Sequence, residues 1–437
     1  MHFKRLRFAL ALAILTSGFG CKQRSTSSAL EGHYEGRDQE AALRRQSGRL
    51  VIPPQYAPTR AVLVSDRSFL LYGMWELARA ITSSGADLWL LGSKSKLSSE
   101  SMAQKIRLKP RAGVGKVIPV DVATDSAWVR DYAPLVGYQR ALKPGDPSRL
   151  VLIDQNYYPD RKSDDYLPTV ISEMMLALRF SLPVYNEGGN FMTSGRHCLM
   201  TERVLEANTA QAMTKDPKER VLDALDVEEY YRIATGCERV TIFPRMPYEG
   251  TGHIDMWAKV IGDDLVVVSQ LDGFAMQDPL PDLGERIERD VRKPSDSVLS
   301  EVQSFLDARA QDFERLGFRV LRIAMPLPVA LPPLKGAPEG SRTERTYLFR
   351  SYANALIVND SIIVPDYVKP DNPELNGSYP DDKFTDFYRS NVLKVFSDRS
   401  RMLNGKRLPP LKVLWVNADQ AIATGGAVHC LTMQVPK

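Results

Sequence analysis

HIDMWAKVIGDDLVVVS, residues 253–269, sets the fold class. Two β-rich runs flank a short polar turn, Gly262 to Asp264, which is the pattern of a β-hairpin. The same pattern recurs in GNFMTSGRHCLMT (189–201) and ANALIVNDSIIVPDY (353–367). Nearer the N-terminus, AVLVS (61–65) reads as a buried strand, Phe69 to Ser84 as an amphipathic helix, and LWLL (88–91) as a second strand. Strands alternating with helices, with hairpins between them, predict an α/β protein. The hairpins share no sequence repeat. Each places polar residues at the beginning of its first strand, where side chains converge if similar units surround one centre.

The 437 residues are 43% hydrophobic and 25% charged, the balance of an ordinary globular protein. A disordered chain, a collagen-like chain and a polytopic membrane protein are excluded. The formal charge of +4 owes three basic residues to Lys4, Arg5 and Arg7, in a first segment of twenty residues with no acid. The remainder is close to neutral, so no global field points to nucleic acid. Phe8 to Leu15 is apolar but too short to span a bilayer, and fits the core of a secretory signal. Gly18, Phe19 and Gly20 then precede Cys21, which resembles a bacterial lipoprotein signal with Cys21 as the lipidated residue. Gly18 stands where such signals usually carry an aliphatic residue. The expected organisation is a signal peptide at 1–20, a flexible polar tether at 21–50 and a catalytic domain at 51–437. An exported, membrane-anchored lipoprotein, periplasmic or on the cell surface, is expected, with secretion as the alternative. The only membrane contact expected is the lipid.

If Cys21 is lipidated, Cys198, Cys237 and Cys430 remain, an odd number for an oxidising compartment. Cys198 and Cys237 could bridge or stay reduced and buried. Cys430 is then either a nucleophile or an inert buried thiol. A Pro- and charge-rich stretch, 279–345, reads as an insertion with a helix at about 296–316.

Four further segments concentrate chemistry. In GTGHIDMWAK (250–259), His253 and Asp255 are two apart, so on a strand they share a face and could serve as acid/base and anchor. No ligand cluster suggests a metal. DSAWVRDYAP (125–134) offers Asp131 for a cation and Trp128 as the wall of a slot for a flat cationic group, although Arg130 and Asp131 could equally pair with each other. NEGGN (186–190) brings Glu187 and Asn190 around two glycines. TGGAVHCLTMQVP (424–436) sets two glycines before a short strand carrying His429 and Cys430, and backbone N–H groups there favour a thiolate.

WVRDYAP, EGGN, GTGHID, SYANALIVND and TGGAVHC follow one another as in the agmatine deiminase and bacterial (Porphyromonas-type) peptidylarginine deiminase family. The chain resembles that family from about Ile52 to Pro436. The resemblance implies the pentein fold, a five-bladed α/β propeller of ββαβ-like units with pseudo-fivefold symmetry and a central site. It implies guanidine deimination without metal or organic cofactor. Cys430 attacks the guanidinium carbon, His253 is the acid/base, and Asp131 and Asp255 grip the cation. Glu187 is a third acidic group that orients or charges the histidine, and Asn354 steadies the adduct. Trp128, Arg130 and Asn190 complete the substrate-binding set. Arg161 matches one of two arginines with which exported relatives hold a substrate carboxylate, but Pro159 stands at the other. Departures include Ala133, where the family usually has glycine, and Ala427. Arginine in peptides or proteins is the expected substrate, with agmatine as the alternative. A non-catalytic binding lipoprotein on the same fold is the reading from a different class.

Overall fold

The computed structural model describes residues 39–92, 114–141, 143, 147–209, 221–271, 294–330, 347–367, 382–397 and 400–437. Five sheets of three or four strands share one wiring among these residues. Leu135–Gln139 and Arg149–Asn156 form an antiparallel pair, and the second lies parallel to Leu178–Tyr185. The pattern repeats with Met192–Thr193, His197–Thr201 and Arg239–Phe243. It repeats again with Ala258–Gly262, Leu265–Leu271 and Arg319–Met325, then with Leu356–Val358, Ser361–Asp366 and Lys412–Asn417. In the fifth sheet Thr432–Pro436 is antiparallel to Thr59–Ser65, which runs parallel to Asp87–Gly92. A parallel pair needs a crossover. Helices Lys162–Met175, Ala224–Thr235, Asp296–Arg315, Asp382–Ser397 and Trp75–Ser83 supply them in the respective units.

The buried apolar residues form two clusters, and the fifth sheet lies between them. In Thr59–Ser65, Val62 and Val64 enter one core while Ala61 and Leu63 enter the other, as a two-residue period demands. This arrangement matches the expected mixed α/β class and the hairpins at 189–201 and 353–367.

Several expectations need correction. Phe69 to Ser84 is two helices, Asp66–Tyr72 and Trp75–Ser83, because Gly73 adopts a left-handed conformation (φ 62°) and ends the first. The tether does not extend to residue 50. Residues 39–44 are helical, Leu43 is fully buried, and Arg44 pairs with Glu229 at 2.6 Å. One leucine in a polar stretch is enough to dock it. The segment 279–345 is not wholly an insertion either. Helix Asp296–Arg315 buries Leu306 and Phe313, and Arg319–Met325 pairs along its length with Leu265–Leu271. Residues 279–293 and 331–345 of that stretch, and 1–38 with Cys21, lie outside the described residues.

Candidate active site

Five segments, each just ahead of the first strand of one of the five antiparallel pairs, meet at one place. Asp131 lies ahead of Leu135–Gln139, Glu187 and Gly189 ahead of Met192–Thr193, and Asp255 ahead of Ala258–Gly262. Asn354 lies ahead of Leu356–Val358, and Cys430 ahead of Thr432–Pro436.

His253 and Asp255 are therefore not on a strand as the sequence suggested. Glu249 accepts hydrogen bonds from the Thr251 and Gly252 amides, and Gly252 turns the chain with φ at +73°. A single 3₁₀ turn, Ile254–Met256, follows. His429 and Cys430 likewise sit in the turn before their strand. Turns can aim neighbouring side chains at one point, which the alternating faces of a strand cannot.

Gly189 marks that point. A β-carbon there would lie 2.6 Å from His253 Nδ1, 3.0 Å from Asp131 Oδ1 and 3.2 Å from Asp255 Oδ2. Only glycine lets the three groups close on the backbone, and its N–H donates to Asp131 Oδ1 at 3.1 Å. Gly426 does the same for the thiol, since a β-carbon would lie 2.7 Å from Trp128 and 3.0 Å from Cys430 Sγ. Asn354 fixes the sulfur. Its Oδ1 accepts from the His429 and Cys430 amides at 3.1 and 3.4 Å, and its Nδ2 donates to Sγ at 3.1 Å. Cys430 Sγ lies 3.6 Å from Asp255 Oδ2.

Electrostatics divides the roles. His253 Nε2 lies 3.0 Å from Glu187 Oε2. Burial disfavours its imidazolium, but Glu187, aided by Asp131 and Asp255, outweighs burial and lifts the ring to about 10. Glu187 is correspondingly held down to about 2 despite burial, by His253, Arg203 and Tyr158. Asp131 is pushed up to about 7 by burial, and Asp255 to about 6, each partly offset by His253. Cys430 is pushed well above the usual thiol range by burial and by the Asp255 and Asp131 charges. The site thus pairs a charged acid with a neutral thiol and two buried carboxyl groups whose ionised forms a cation favours. Asp255 Oδ1 is buried with no hydrogen-bond partner, as a carboxylate aimed at an N–H ligand should be.

Two expected substrate ligands do not reach the site. Arg130 is fully buried and spent on structure: its guanidinium donates to His429 O, Met433 Sδ and Gln434 Oε1 at 3.3, 3.0 and 2.7 Å. It braces the strand behind the thiol, and a second guanidinium in the slot would repel a cationic substrate. Asn190 is buried in a hydrogen-bond set with Thr201 and Asn186. Trp128 borders the thiol at Gly426, with Tyr72 beside it at 5.8 Å between ring centroids. Arg161 donates to Tyr157 OH at 2.9 Å and lies over the Tyr158 ring, while Tyr158 OH donates to Glu187 Oε1 at 2.5 Å. Cys198 and Cys237 form a disulfide, and Cys430 is free. Among the described residues no group of three His, Cys, Asp or Glu side chains could hold a metal ion.

Sequence reasoning missed Tyr158 and Arg203, which steady Glu187, as well as the half-buried Gln55 and the buried Lys259. Tyr158 lies in the same DQNYYPDRKSDD run as Arg161 and was the legible one. Lys259 ends the GTGHIDMWAK segment without matching any expected role there, and nothing near Gln55 in the sequence signals a site.

The family description "Porphyromonas-type peptidyl-arginine deiminase" matches residues 73–387. The chain belongs to this family. An agmatine deiminase of Medicago truncatula is 24% identical over 341 residues, covering 72% of this chain and 78% of its own length. Among solved structures, the agmatine deiminase of Enterococcus faecalis superposes with a TM-score of 0.59 at 18% identity, covering 90% of this chain and 97% of that one. The agmatine deiminase of C. jejuni gives a TM-score of 0.57 at 15% identity, covering 89% of this chain and 96% of that one. The chain is a hydrolase acting on the C–N bonds of linear amidines, and its reaction is deimination of a guanidino group.

Proposed function

We propose that the protein deiminates a free alkylguanidine of the agmatine kind through a covalent adduct on Cys430. The observation that carries this reading is the convergence of His253, Asp131 and Asp255 over the Gly189 backbone. A guanidinium is flat, cationic and resonance-stabilised, so it needs carboxylates to fix its plane and a strong nucleophile to break its conjugation. Asp131 and Asp255 supply the first, with the unpartnered Asp255 Oδ1 taking an N–H. The substrate's positive charge cancels the field that holds the thiol neutral, so binding and thiol ionisation are coupled, and the thiol proton passes to solvent as the cation enters. Sγ then bonds to the guanidinium carbon. The His253 imidazolium gives its proton to one amino group, and the C–N bond breaks to release ammonia. Neutral His253 next takes a proton from water as the water oxygen adds to the S-alkyl thiouronium carbon. Collapse breaks the C–S bond and restores the thiolate, and the remaining O–H proton passes to solvent to leave the neutral ureido product. Asn354 Nδ2 steadies the sulfur throughout.

We infer that the five units surround a pseudo-fivefold axis as the blades of a pentein propeller. The support is that the site draws a residue from just before the first strand of each.

The substrate reading departs from the peptidyl arginine expected from the sequence. The relatives named above are agmatine deiminases, which favours the small guanidine. In addition, Arg161 is engaged with Tyr157 and Tyr158, and Pro159 replaces the second arginine of a carboxylate clamp. Export as a lipoprotein through Cys21 stays part of the proposal, supported by the leader and by the Cys198–Cys237 disulfide, a bond at home in an oxidising compartment. That same support favours peptidyl arginine as the second reading. Incubating the full chain with agmatine, free arginine and an N-blocked arginine amide, with Cys430→Ala as control, decides between them by the mass of the ureido product. Turnover of agmatine supports the first reading. Turnover of the blocked amide alone replaces it with the second.

A further inference from the structure

Behind Asp255 the chain buries a histidine that the reaction above leaves idle. His429 is fully buried, with Nδ1 at 2.6 Å from Asp255 Oδ2 and Nε2 at 2.9 Å from Gln55 Oε1. Gln55 cannot present its amide the other way round. Its Oε1 also accepts from Lys259 Nζ at 3.0 Å, and its Nε2 donates to Phe191 O at 3.3 Å. An oxygen that already accepts from a lysine can only accept from the imidazole, so His429 Nε2 carries a hydrogen. If that is its only hydrogen, Nδ1 presents a lone pair to a carboxylate oxygen. Two lone pairs do not hold a 2.6 Å contact without a proton between them.

We propose that Asp255 and His429 share one proton, locked in place by Lys259 and Gln55, and that the arriving guanidinium shifts it from Asp255 Oδ2 to His429 Nδ1. In the shift the Asp255 O–H bond breaks and the His429 N–H bond forms, with no exchange with solvent. Asp255 becomes a carboxylate only when a cation is there to meet it. The imidazolium left behind donates to Asp255 on one side and Gln55 on the other. When the uncharged ureido product forms, the proton returns and the grip relaxes. Cationic substrate is thereby separated from neutral product. His429, Gln55 and Lys259 are positioning residues, and the inference rests on the deiminase reading for its consequence. The groups facing the pair are Arg130, Lys259, His253, Glu249, Asp131 and Cys430. Burial first, then Arg130, Lys259 and His253, hold the His429 imidazolium down, while burial holds Asp255 up. Of the two sites, both effects favour Asp255 over His429 for the shared proton that the 2.6 Å contact requires.

Two variants of Gln55 in the full chain push the proton in opposite directions. Gln55→Glu puts an anion on Nε2, favours the imidazolium and keeps Asp255 ionised to lower pH. Gln55→Leu removes the acceptor and favours the acid form. The acid limb of kcat/KM is expected to move down by about one pH unit in Q55E and up by about one in Q55L, a tenfold change in each direction on that limb. A merely structural role moves neither limb, so equal losses with unmoved limbs overturn the proposal. Nitrogen NMR of His429 is the second readout and needs no turnover. A protonated or proton-sharing Nδ1 that reverts to a plain acceptor in Asp255→Asn is expected. A bare Nδ1 unaffected by Asp255→Asn refutes the shared proton even if a variant misfolds. If the wild type deiminates none of the three guanidines while the NMR result stands, the functional reading fails alone.

Discussion

Replacing Glu187 by glutamine separates the charge of that carboxylate from its shape. The His253 ring stands near 10 because Glu187, 3.0 Å away, outweighs the penalty of burial, with help from Asp131 and Asp255. The amide keeps an oxygen for hydrogen bonding but removes the anion, while burial is unchanged. The imidazole then falls back towards its ordinary 6.5, the limit it reaches if burial offsets what Asp131 and Asp255 still supply. At pH 8 a group titrating at 6.5 is protonated in roughly one molecule in thirty, whereas one titrating near 10 is almost fully protonated. If His253 is the acid that releases ammonia, E187Q lowers kcat/KM by up to about thirtyfold at pH 8 and by no more than about a quarter at pH 6. Ammonia release followed from pH 6 to pH 9 gives both values. A loss of the same size at both ends would refute the reasoning, because Glu187 would then act on the substrate and not through the proton on His253. The pair has a second signature in stability. Through His253 it contributes stability that is fully present below 6.5 and lost as pH rises through about 10. Through Glu187 the contribution is present above the ordinary 4.5 and lost as pH falls towards about 2.

Three other perturbations probe the rest of the account. Gly189→Ala drives a methyl to 2.6 Å from His253 Nδ1, so activity is expected to fall by about two orders of magnitude with a small change in melting temperature. A variant active within a few fold would mean that the three side chains need not close on that backbone. Arg130→Lys keeps a cation but loses most of the buried donors. We expect about 2–4 kcal/mol less stability by denaturant titration and an unchanged KM. A large rise in KM with stability intact would return Arg130 to the substrate. The Cys198–Cys237 bridge closes a separation of 39 residues, for which chain entropy gives about 4 kcal/mol. Cys198→Ser with Cys237→Ser should lower the melting temperature while leaving the kcat of the folded enzyme unchanged, measured well below the melt.

The order of the motifs made the chemistry legible, and Asp131, Glu187, His253, Asp255, Asn354 and Cys430 do meet in space. What periodicity could not supply was the local conformation. His253 and Cys430 were read onto strands because apolar runs follow them, yet Gly252 and the turn after Gly426 delay each strand by a few residues. Arg130 looked like a ligand because the sequence does not say which way a side chain turns. Its three acceptors come from residues 429–434, far along the chain. Gln55 and His429 are 374 positions apart, so their hydrogen bond exists only after the tertiary fold does. Leu43 shows the opposite error, in which composition suggested a loose tether and one buried side chain was enough to dock it.

Cys430 stands two residues ahead of Thr432–Pro436, whose register pairs Thr432 with Val64 and Val435 with Ala61. The sulfur is therefore set in place by zippering two segments that leave the ribosome at widely separated times. The same strand holds the thiol segment against Asn354, whose side chain then bonds the His429 and Cys430 amides. Closing the sheet and arming the nucleophile are one event. A chain cut short ahead of Thr432 loses the strand that fixes the thiol's place, and is expected to release no ammonia from a guanidine in a direct assay.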